Sequence, residues 1–261
     1  MSAWVLGTLA LAALITSIIS AILGMAGGVM LLAVMMCFLT HAETIPTHAV
    51  VQIASNGTRA LAFMGHVDRN ALGRFLIGVV PGASIGLLLL WSLGQMDESE
   101  PYLKTLIGLY IVSSTFIPRG GSDHHAAGTW WDFPLMGLIA GIAALTVGAV
   151  GPLIAPLFAR RDFVKERLIA TKAVCQLSLH VFKIPAFILM RQLDLAKLGL
   201  VALIMIVMVI PGTLIGKRFQ QGVSESQFRV AFRVALILAG LKVLVIDGLI
   251  KMPIWTGATP G

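Results

Sequence analysis

The stretch Thr171-Lys-Ala-Val-Cys-Gln176, which continues to Lys183, decides the fold because it places charged and amide side chains inside an apolar run. A helix advances about 100° per residue, so one face of this stretch carries four polar side chains within an arc of roughly 80°. These four residues are Lys172, Gln176, His180 and Lys183. We therefore predict a helix with one polar face in largely apolar surroundings.

The same polar face occurs earlier in the chain. Thr47-His-Ala-Val-Val-Gln52 leads to Asn56 and Arg59, and each polar position lies 124 residues before its counterpart. The earlier set is His48, Gln52, Asn56 and Arg59. Two glycines, Gly24 and Gly27, recur at the same distance as Gly148 and Gly151. The chain is therefore an internal duplication.

Composition identifies the surroundings as lipid. The mean hydropathy is +0.92, with 57% hydrophobic and only 12% charged residues in 261, which excludes a soluble domain with one core. The apolar runs suit helices of about 20 residues, so we predict an all-α, polytopic helical membrane protein. Cys37 and Cys175 lie in apolar stretches and are expected to be buried thiols. The net charge of +7 comes from single basic residues in loops, which fits membrane topology and an anionic solute better than nucleic acid.

The first repeat is predicted to cover residues 1–117. Its opening element, residues 4–39, is a broken helix, since the cluster Gly24, Gly27 and Gly28 interrupts it and glycine weakens helices. Pro46 fits the first turn of the next helix, which carries the polar face. The three predicted spans of this half are residues 46–64, 71–93 and 102–117.

The second repeat is predicted to cover residues 132–247, after a polar, glycine-rich linker at residues 118–131. Its broken element, residues 133–158, is interrupted at Gly148 and Gly151. Three spans follow, at residues 167–190, 195–216 and 228–245, and residues 248–261 form a C-terminal tail. Each half thus has one broken helix and three transmembrane helices.

Basic loop residues change sides between the two halves. In the first half they follow the second and fourth elements, and in the second half they follow the first and third. Cytoplasmic loops carry the excess of Lys and Arg, so both sets are cytoplasmic only if each broken element is re-entrant, entering and leaving on one side. This predicts an inverted repeat with both termini outside. The residues are Arg69, Arg74, Arg119, Arg160, Arg161, Lys165, Arg167, Lys217, Arg218 and Arg229.

The duplicated motifs resemble those of the sulfite exporter TauE/SafE family, also called the toluene-sulfonate uptake permeases. The resemblance covers nearly the whole chain. It rests on the glycine cluster Gly24 to Gly28, on Gly148 to Pro152 with Pro156, and on two Pro-Gly-x-x-Ile-Gly segments, Pro81 to Gly86 and Pro211 to Gly216.

This resemblance implies a secondary transporter, with export favoured, of small sulfur-containing anions across the bacterial inner membrane. The implied substrates are sulfite, sulfoacetate or other organosulfonates. The partners expected are this small anion and membrane lipid, with no nucleic acid, while proton coupling and a homodimer are left open. We expect no cofactor and no metal.

The residues themselves point to an anion. Half-helices that meet near the bilayer midplane direct backbone N–H groups toward a ligand, and glycine allows it to approach closely. Buried cations need a counterion or a polar cavity, and the two glutamines can donate hydrogen bonds to sulfonate oxygens. The candidate substrate-binding residues are Gly24, Gly27, Gly28, His48, Gln52, Asn56, Arg59, Gly148, Gly151, Lys172, Gln176, His180 and Lys183.

Several alternatives accompany these assignments. Arg59 and Lys183 lie close enough to a membrane interface to snorkel, and the two histidines can form interhelical hydrogen bonds instead of coupling protons. The glycine clusters can be packing motifs. An anion channel, or a permease for an unrelated small anion, would use the same residues. An enzyme is not expected, because the sequence has no HExxH motif and no pair of intramembrane aspartates.

Overall fold

The computed structural model of the chain describes residues 1–23, 27–94, 99–114, 116, 129–146, 148, 150–151, 153–154, 158, 163, 165–190, 195–219, 237–238 and 240–252. Every regular element in these residues is helical, which confirms the predicted all-α fold. Several residues that the sequence singled out lie outside the described part: Gly24, Arg119, Pro152, Pro156, Arg160, Arg161 and Arg229.

We number the helices α1 (Ala3–Leu23), α2 (Gly27–Met36), α3 (His41–Ala62), α4 (Arg69–Gly94), α5 (Ser99–Ser114), α6 (Asp132–Thr146), α7 (Lys165–Leu189) and α8 (Leu195–Phe219). Shorter pieces are a 3-10 turn at Met64–His66, a π-helical segment at Lys242–Gly248 and a 3-10 turn at Leu249–Lys251.

Four of the described helices contain stretches long and apolar enough to cross a membrane: Ala3–Ile22, Arg69–Ser92, Glu166–Leu189 and Leu198–Phe219. Many large apolar side chains on these helices point outward, among them Leu88 and Val207. An outer surface of this kind suits contact with lipid tails. With 22 residues, α3 is also long enough, but its buried polar face makes it less apolar.

The start of α3 differs from the prediction. Pro46 was expected in the first turn, but it lies inside the helix, which begins five residues earlier at His41. The reason is a capping box: the Thr40 side chain accepts from the backbone N–H of Glu43, and the Glu43 carboxylate accepts from the backbone N–H of Thr40. This reciprocal pair fixes the helix start at His41. Pro46 therefore lies beyond the first turn.

Neither cysteine forms a disulfide, and only one is as buried as predicted. Cys175 in α7 is buried, as expected. Cys37 is only half-buried because it lies in the turn after α2, where its thiol donates to the carbonyl of Ala33 at 3.3 Å.

Two helix pairs, α1 with α8 and α4 with α6, pack in the same way, and each pair joins one half to the other. Gly212 and Gly216 of α8 lie against Leu14 and Ile18 of α1. The repeat-related contacts join Gly82 and Gly86 of α4 to Leu138 and Ile142 of α6, which lie 124 residues after Leu14 and Ile18. Glycines spaced four apart let two helix backbones approach closely. Each Pro-Gly-x-x-Ile-Gly segment therefore packs its helix against the first part of the other half's broken element.

Replacing Gly212 with alanine is expected to destabilise the protein by about 1–3 kcal/mol, because the close helix contact leaves no room for a methyl group. Its Cβ would lie 2.6 Å from the carbonyl oxygen of Leu14. Gly199→Ala in the same helix is the matched control, since its Cβ would meet nothing within 4 Å. Thermal unfolding of the purified protein in detergent measures both, and equal stability of the two variants would contradict this packing.

The ends of each broken element lie together. In the first, Trp4 at the start of α1 contacts Phe38 after α2, with ring centroids 5.5 Å apart. Gly27, the first residue of α2, packs against Ser20 of α1, so α2 returns alongside α1. In the second, Phe133 at the start of α6 contacts Phe158, with ring centroids 5.7 Å apart. In each half, therefore, an aromatic contact joins the start of the broken element to a residue near its end.

Candidate anion-binding site

The two predicted polar faces meet between α3 and α7, which run antiparallel. At one end His48 of α3 contacts His180 of α7, with ring centroids 5.7 Å apart. At the other end Phe63, just after α3, packs with Ile169 and Ala170 near the start of α7. The polar side chains of the two helices form a band inside the protein, although the helices are more than 100 residues apart in sequence. All are buried: His48, Gln52, Asn56, Arg59, Lys172, Gln176, His180 and Lys183.

One end of the band binds backbone carbonyls of both broken elements. His48 Nε2 lies 2.8 Å from the carbonyl oxygen of Gly28. Lys183 Nζ donates to the carbonyl oxygen of Gly148 at 2.5 Å and lies 3.5 Å from His180 Nδ1. Gly148 has a φ of 91°, a conformation that favours glycine. A residue with a side chain at this position would therefore strain the backbone that presents this carbonyl to Lys183.

The centre of the band holds two glutamines, each beside a glycine of a break. A Cβ on Gly28 would lie 3.4 Å from the amide nitrogen of Gln52, and a Cβ on Gly151 would lie 3.0 Å from that of Gln176. Each amide therefore lies close to the backbone of a glycine, and a larger residue in place of that glycine would crowd it. Each half contributes one equivalent glutamine, in accordance with the spacing of 124 residues.

The other end of the band is a hydrogen-bonded chain on α3. Asn56 Nδ2 donates to the Gln52 side-chain oxygen at 3.1 Å, and the guanidinium of Arg59 donates to Asn56 Oδ1 and Ser55 Oγ, each at 3.2 Å. Arg59 is 2% exposed. Its charged group therefore lies inside the protein and points back along α3 toward Gln52.

The described geometry places the charged groups of Arg59 and Lys183 among protein atoms. Snorkelling would instead carry them to the lipid-facing surface near the membrane interface. Both residues form hydrogen bonds inside the protein and are almost fully buried. Lys172 is fully buried as well. Of the predicted glycines, Gly27, Gly28, Gly148 and Gly151 are described, and Gly27 packs against α1 rather than against a glutamine.

Sequence reasoning missed Asp68, which ties the two halves together beside this band. Its carboxylate accepts from the backbone N–H of Ala71 at 3.0 Å and caps α4, and it also accepts from the guanidinium of Arg167 in α7. Its backbone N–H donates to the Thr171 hydroxyl at 2.9 Å. An aspartate just before an apolar helix is a recognisable cap signal, but the pairing with Arg167 depends on how α4 and α7 pack.

Asp68 should make stability depend on pH. Partial burial opposes ionisation, but the hydrogen bonds from Ala71 and Arg167 outweigh it and lower the pKa of Asp68 below its ordinary value. A lowered folded-state pKa stabilises the protein above the unfolded pKa of about 3.9, and this stabilisation is lost as the pH falls further. In Asp68→Asn the cap is kept but the charge is not. The unfolding temperature of wild type should exceed that of the variant at pH 6, with the gap closing toward pH 3, whereas a constant gap would contradict the ion pair.

Comparison with known proteins agrees with this architecture. The family described as sulfite exporter TauE/SafE matches residues 9–243. The "Probable inner membrane transporter protein TsaS" of Comamonas testosteroni is 28% identical over 173 residues, which cover 66% of this chain and 70% of that protein. No solved structure matches the chain. The chain belongs to the sulfite exporter TauE/SafE family and is a multi-pass transporter of the inner membrane.

Proposed function

We propose that the protein is a secondary transporter that exports small sulfur-containing anions, such as sulfite, sulfoacetate or other organosulfonates. The anion binds in the band between α3 and α7, next to the breaks in the two broken elements. The family and the described relative support transport, and the chemistry of the band supports an anion as the substrate.

The observation that carries this proposal is the pairing of buried cations with neutral groups. Arg59 donates to an amide oxygen and a hydroxyl, and Lys183 donates to a backbone carbonyl. Within the described residues neither cation has an Asp or Glu partner. A buried charge without a countercharge is costly, by about 2.5–3.5 kcal/mol for a cation at the centre of a membrane helix. A bound anion would supply the missing negative charge.

The neutral groups of the band fit the oxygens of such an anion. Gln52 and Gln176 have amide N–H donors, and the glycines beside them leave space for a ligand to reach backbone N–H groups. Candidate site members are the thirteen residues predicted from the sequence, with Gly24 outside the described part. His48 and His180 contact each other beside Lys183, where a proton could move together with the anion. Proton coupling therefore forms part of the proposal.

We infer that the two halves are related as an inverted repeat. The repeat-equivalent helices α3 and α7 are antiparallel, which is what a twofold axis in the membrane plane produces. Ring contacts between Trp4 and Phe38, and between Phe133 and Phe158, support re-entrant broken elements that enter and leave on one side. The proposed halves are residues 1–117 and 132–247, and alternating access would come from rocking one against the other.

Thermal stabilisation by a panel of anions tests the proposed function. A ligand that binds only the folded protein raises its stability by mass action, so sulfite, sulfoacetate or taurine should raise the unfolding temperature of the purified protein, whereas chloride should not. The shift should disappear in Gln176→Ala. No shift with any anion, or an equal shift in this variant, would contradict the assignment.

Flux separates the transporter from an anion channel. In liposomes that contain the protein, a proton-coupled carrier should move the stabilising anion faster when a pH gradient is applied at zero membrane potential. Flux that follows only the anion gradient and the membrane potential would favour a channel. A channel would use the same buried cations without alternating access.

A further inference from the structure

Buried hydroxyl side chains, Ser20, Ser55 and Thr213, lie on α1, α3 and α8, and α8 packs against both α1 and α3. We propose that Ser20, Ser55, Arg59 and Thr213 form an oxyanion subsite that recognises the third oxygen of a sulfonate or sulfite group. The inference rests on the proposed function, because it assumes that an anion enters the band, and it adds the residues that select the sulfur anion over a carboxylate.

Contacts along α8 place Thr213 at the level of Arg59. Lys217 Nζ of α8 donates to the carbonyl oxygen of Ala62 at the end of α3, at 2.6 Å. Thr213 precedes Lys217 by four residues and Arg59 precedes Ala62 by three, so they lie about 6 Å and about 4.5 Å along their helices from the two contacting residues. Val51 packs with residues of α8 that precede Thr213, which indicates that α3 and α8 run parallel here. This parallel packing puts Thr213 on the part of α8 that is level with Arg59.

The duplication supports a location for Ser20 near Ser55. Their counterparts 124 residues later, Ala144 and Leu179, pack in one buried apolar cluster. The counterpart of Thr213 in the other Pro-Gly-x-x-Ile-Gly segment is Ala83. The location formed by Ser20, Ser55 and Thr213 thus carries hydroxyls, whereas the equivalent location formed by Ala144, Leu179 and Ala83 is apolar. A role in packing alone does not account for this difference, since apolar side chains pack well at the equivalent location.

Two polar atoms of this cluster lack a partner in the described part of the chain. They are Thr213 Oγ1 and Arg59 Nε, in residues that are 0% and 2% exposed. A buried polar group without a partner destabilises a protein by about 1–3 kcal/mol. A ligand oxygen would satisfy both atoms. Ser55 Oγ accepts from Arg59 and keeps its own proton for donation.

Charge and position favour an oxyanion as the ligand. The guanidinium of Arg59 would repel a cation such as sodium, although hydroxyl oxygens alone can bind one. Ser20 packs against Gly27, next to the first break, so the cluster borders the path that the anion would follow. A carboxylate has two oxygens, which a guanidinium can bind as a pair, whereas a sulfonate has a third oxygen that needs a further donor. The hydroxyls supply it.

Methanesulfonate and acetate are matched probes, because they share a methyl group and one negative charge. We would titrate both into the purified full-length protein by calorimetry. Thr213→Val removes the hydroxyl but keeps the shape, and it should weaken methanesulfonate binding about tenfold, as expected for one hydrogen bond to a charged ligand. Acetate affinity should change less than twofold. Thr213→Ser should retain wild-type affinity, and Ser55→Ala should behave like Thr213→Val.

The outcomes separate this inference from the proposed function. If wild type binds methanesulfonate and both Thr213→Val and Ser55→Ala bind it equally well, the subsite is wrong and the proposed function stands. If wild type binds no sulfur anion, both are wrong. If sodium, added with a constant anion, stabilises wild type but not Thr213→Val, the cluster is a cation site and the inference is overturned.

Discussion

Lys183→Met is expected to reduce anion binding and transport by about a hundredfold or more while the ligand-free protein stays folded. Removing one partner of a buried, hydrogen-bonded charge pair costs about 2–5 kcal/mol of binding energy. In the ligand-free protein, losing the hydrogen bond to Gly148 is offset by removing a buried cation. Anion-induced stabilisation and flux in liposomes measure the two effects separately.

A lysine outside the band is the matched control for this prediction. Lys251 is exposed, so Lys251→Met should bind and transport the anion like wild type. If Lys183→Met retains anion-induced stabilisation while folding normally, Lys183 does not supply positive charge to the ligand and the proposed site is wrong at this end.

Gly148→Ala is expected to destabilise the protein by about 2–3 kcal/mol and to lower transport strongly. The φ of 91° is strained for alanine, at roughly 1–2 kcal/mol, and the new Cβ would lie 2.6 Å from Ile45 Cδ1. A shift in the backbone would also move the carbonyl that Lys183 binds. Thermal unfolding and liposome flux report the two losses.

A double variant separates strain from crowding at Gly148. Ile45→Val shortens the crowding side chain, so Gly148→Ala/Ile45→Val should recover part of the lost stability but not the part caused by backbone strain. Gly57→Ala in α3, where a Cβ would meet nothing within 4 Å, should change little. A Gly148→Ala variant as stable as Gly57→Ala would contradict the strained geometry.

Much of the fold follows from the sequence because lipid imposes strong limits on it. Long apolar runs predict helices, and the spacing of 124 residues predicts that His48 and Lys172 occupy equivalent positions. The helix start at His41 was missed because proline at a first turn is a strong signal, while the Thr40 and Glu43 side chains cap the helix earlier. The capping box sets the helix start at His41, whereas the position of the proline predicted a start five residues too late.

The site was predictable as a set of residues but not as a set of contacts. Periodicity places Gln52, Gln176 and Lys183 on polar faces, yet only the antiparallel packing of α3 and α7 brings those faces together. Partners such as the Gly148 carbonyl depend on tertiary geometry. Asp68 was missed because it is a single polar residue at a helix start, and its partners Arg167 and Thr171 come from a distant element.

The most direct test of the central claim is to locate a bound anion. Crystals of the protein grown with 2-bromoethanesulfonate would show the bromine by its anomalous scattering. The proposed function predicts a bromine peak between α3 and α7, with the sulfonate within hydrogen-bond distance of Gln52 or Gln176 and close to a buried cation. A well-bound bromine peak elsewhere, with the band between the helices empty of the sulfonate, would contradict it.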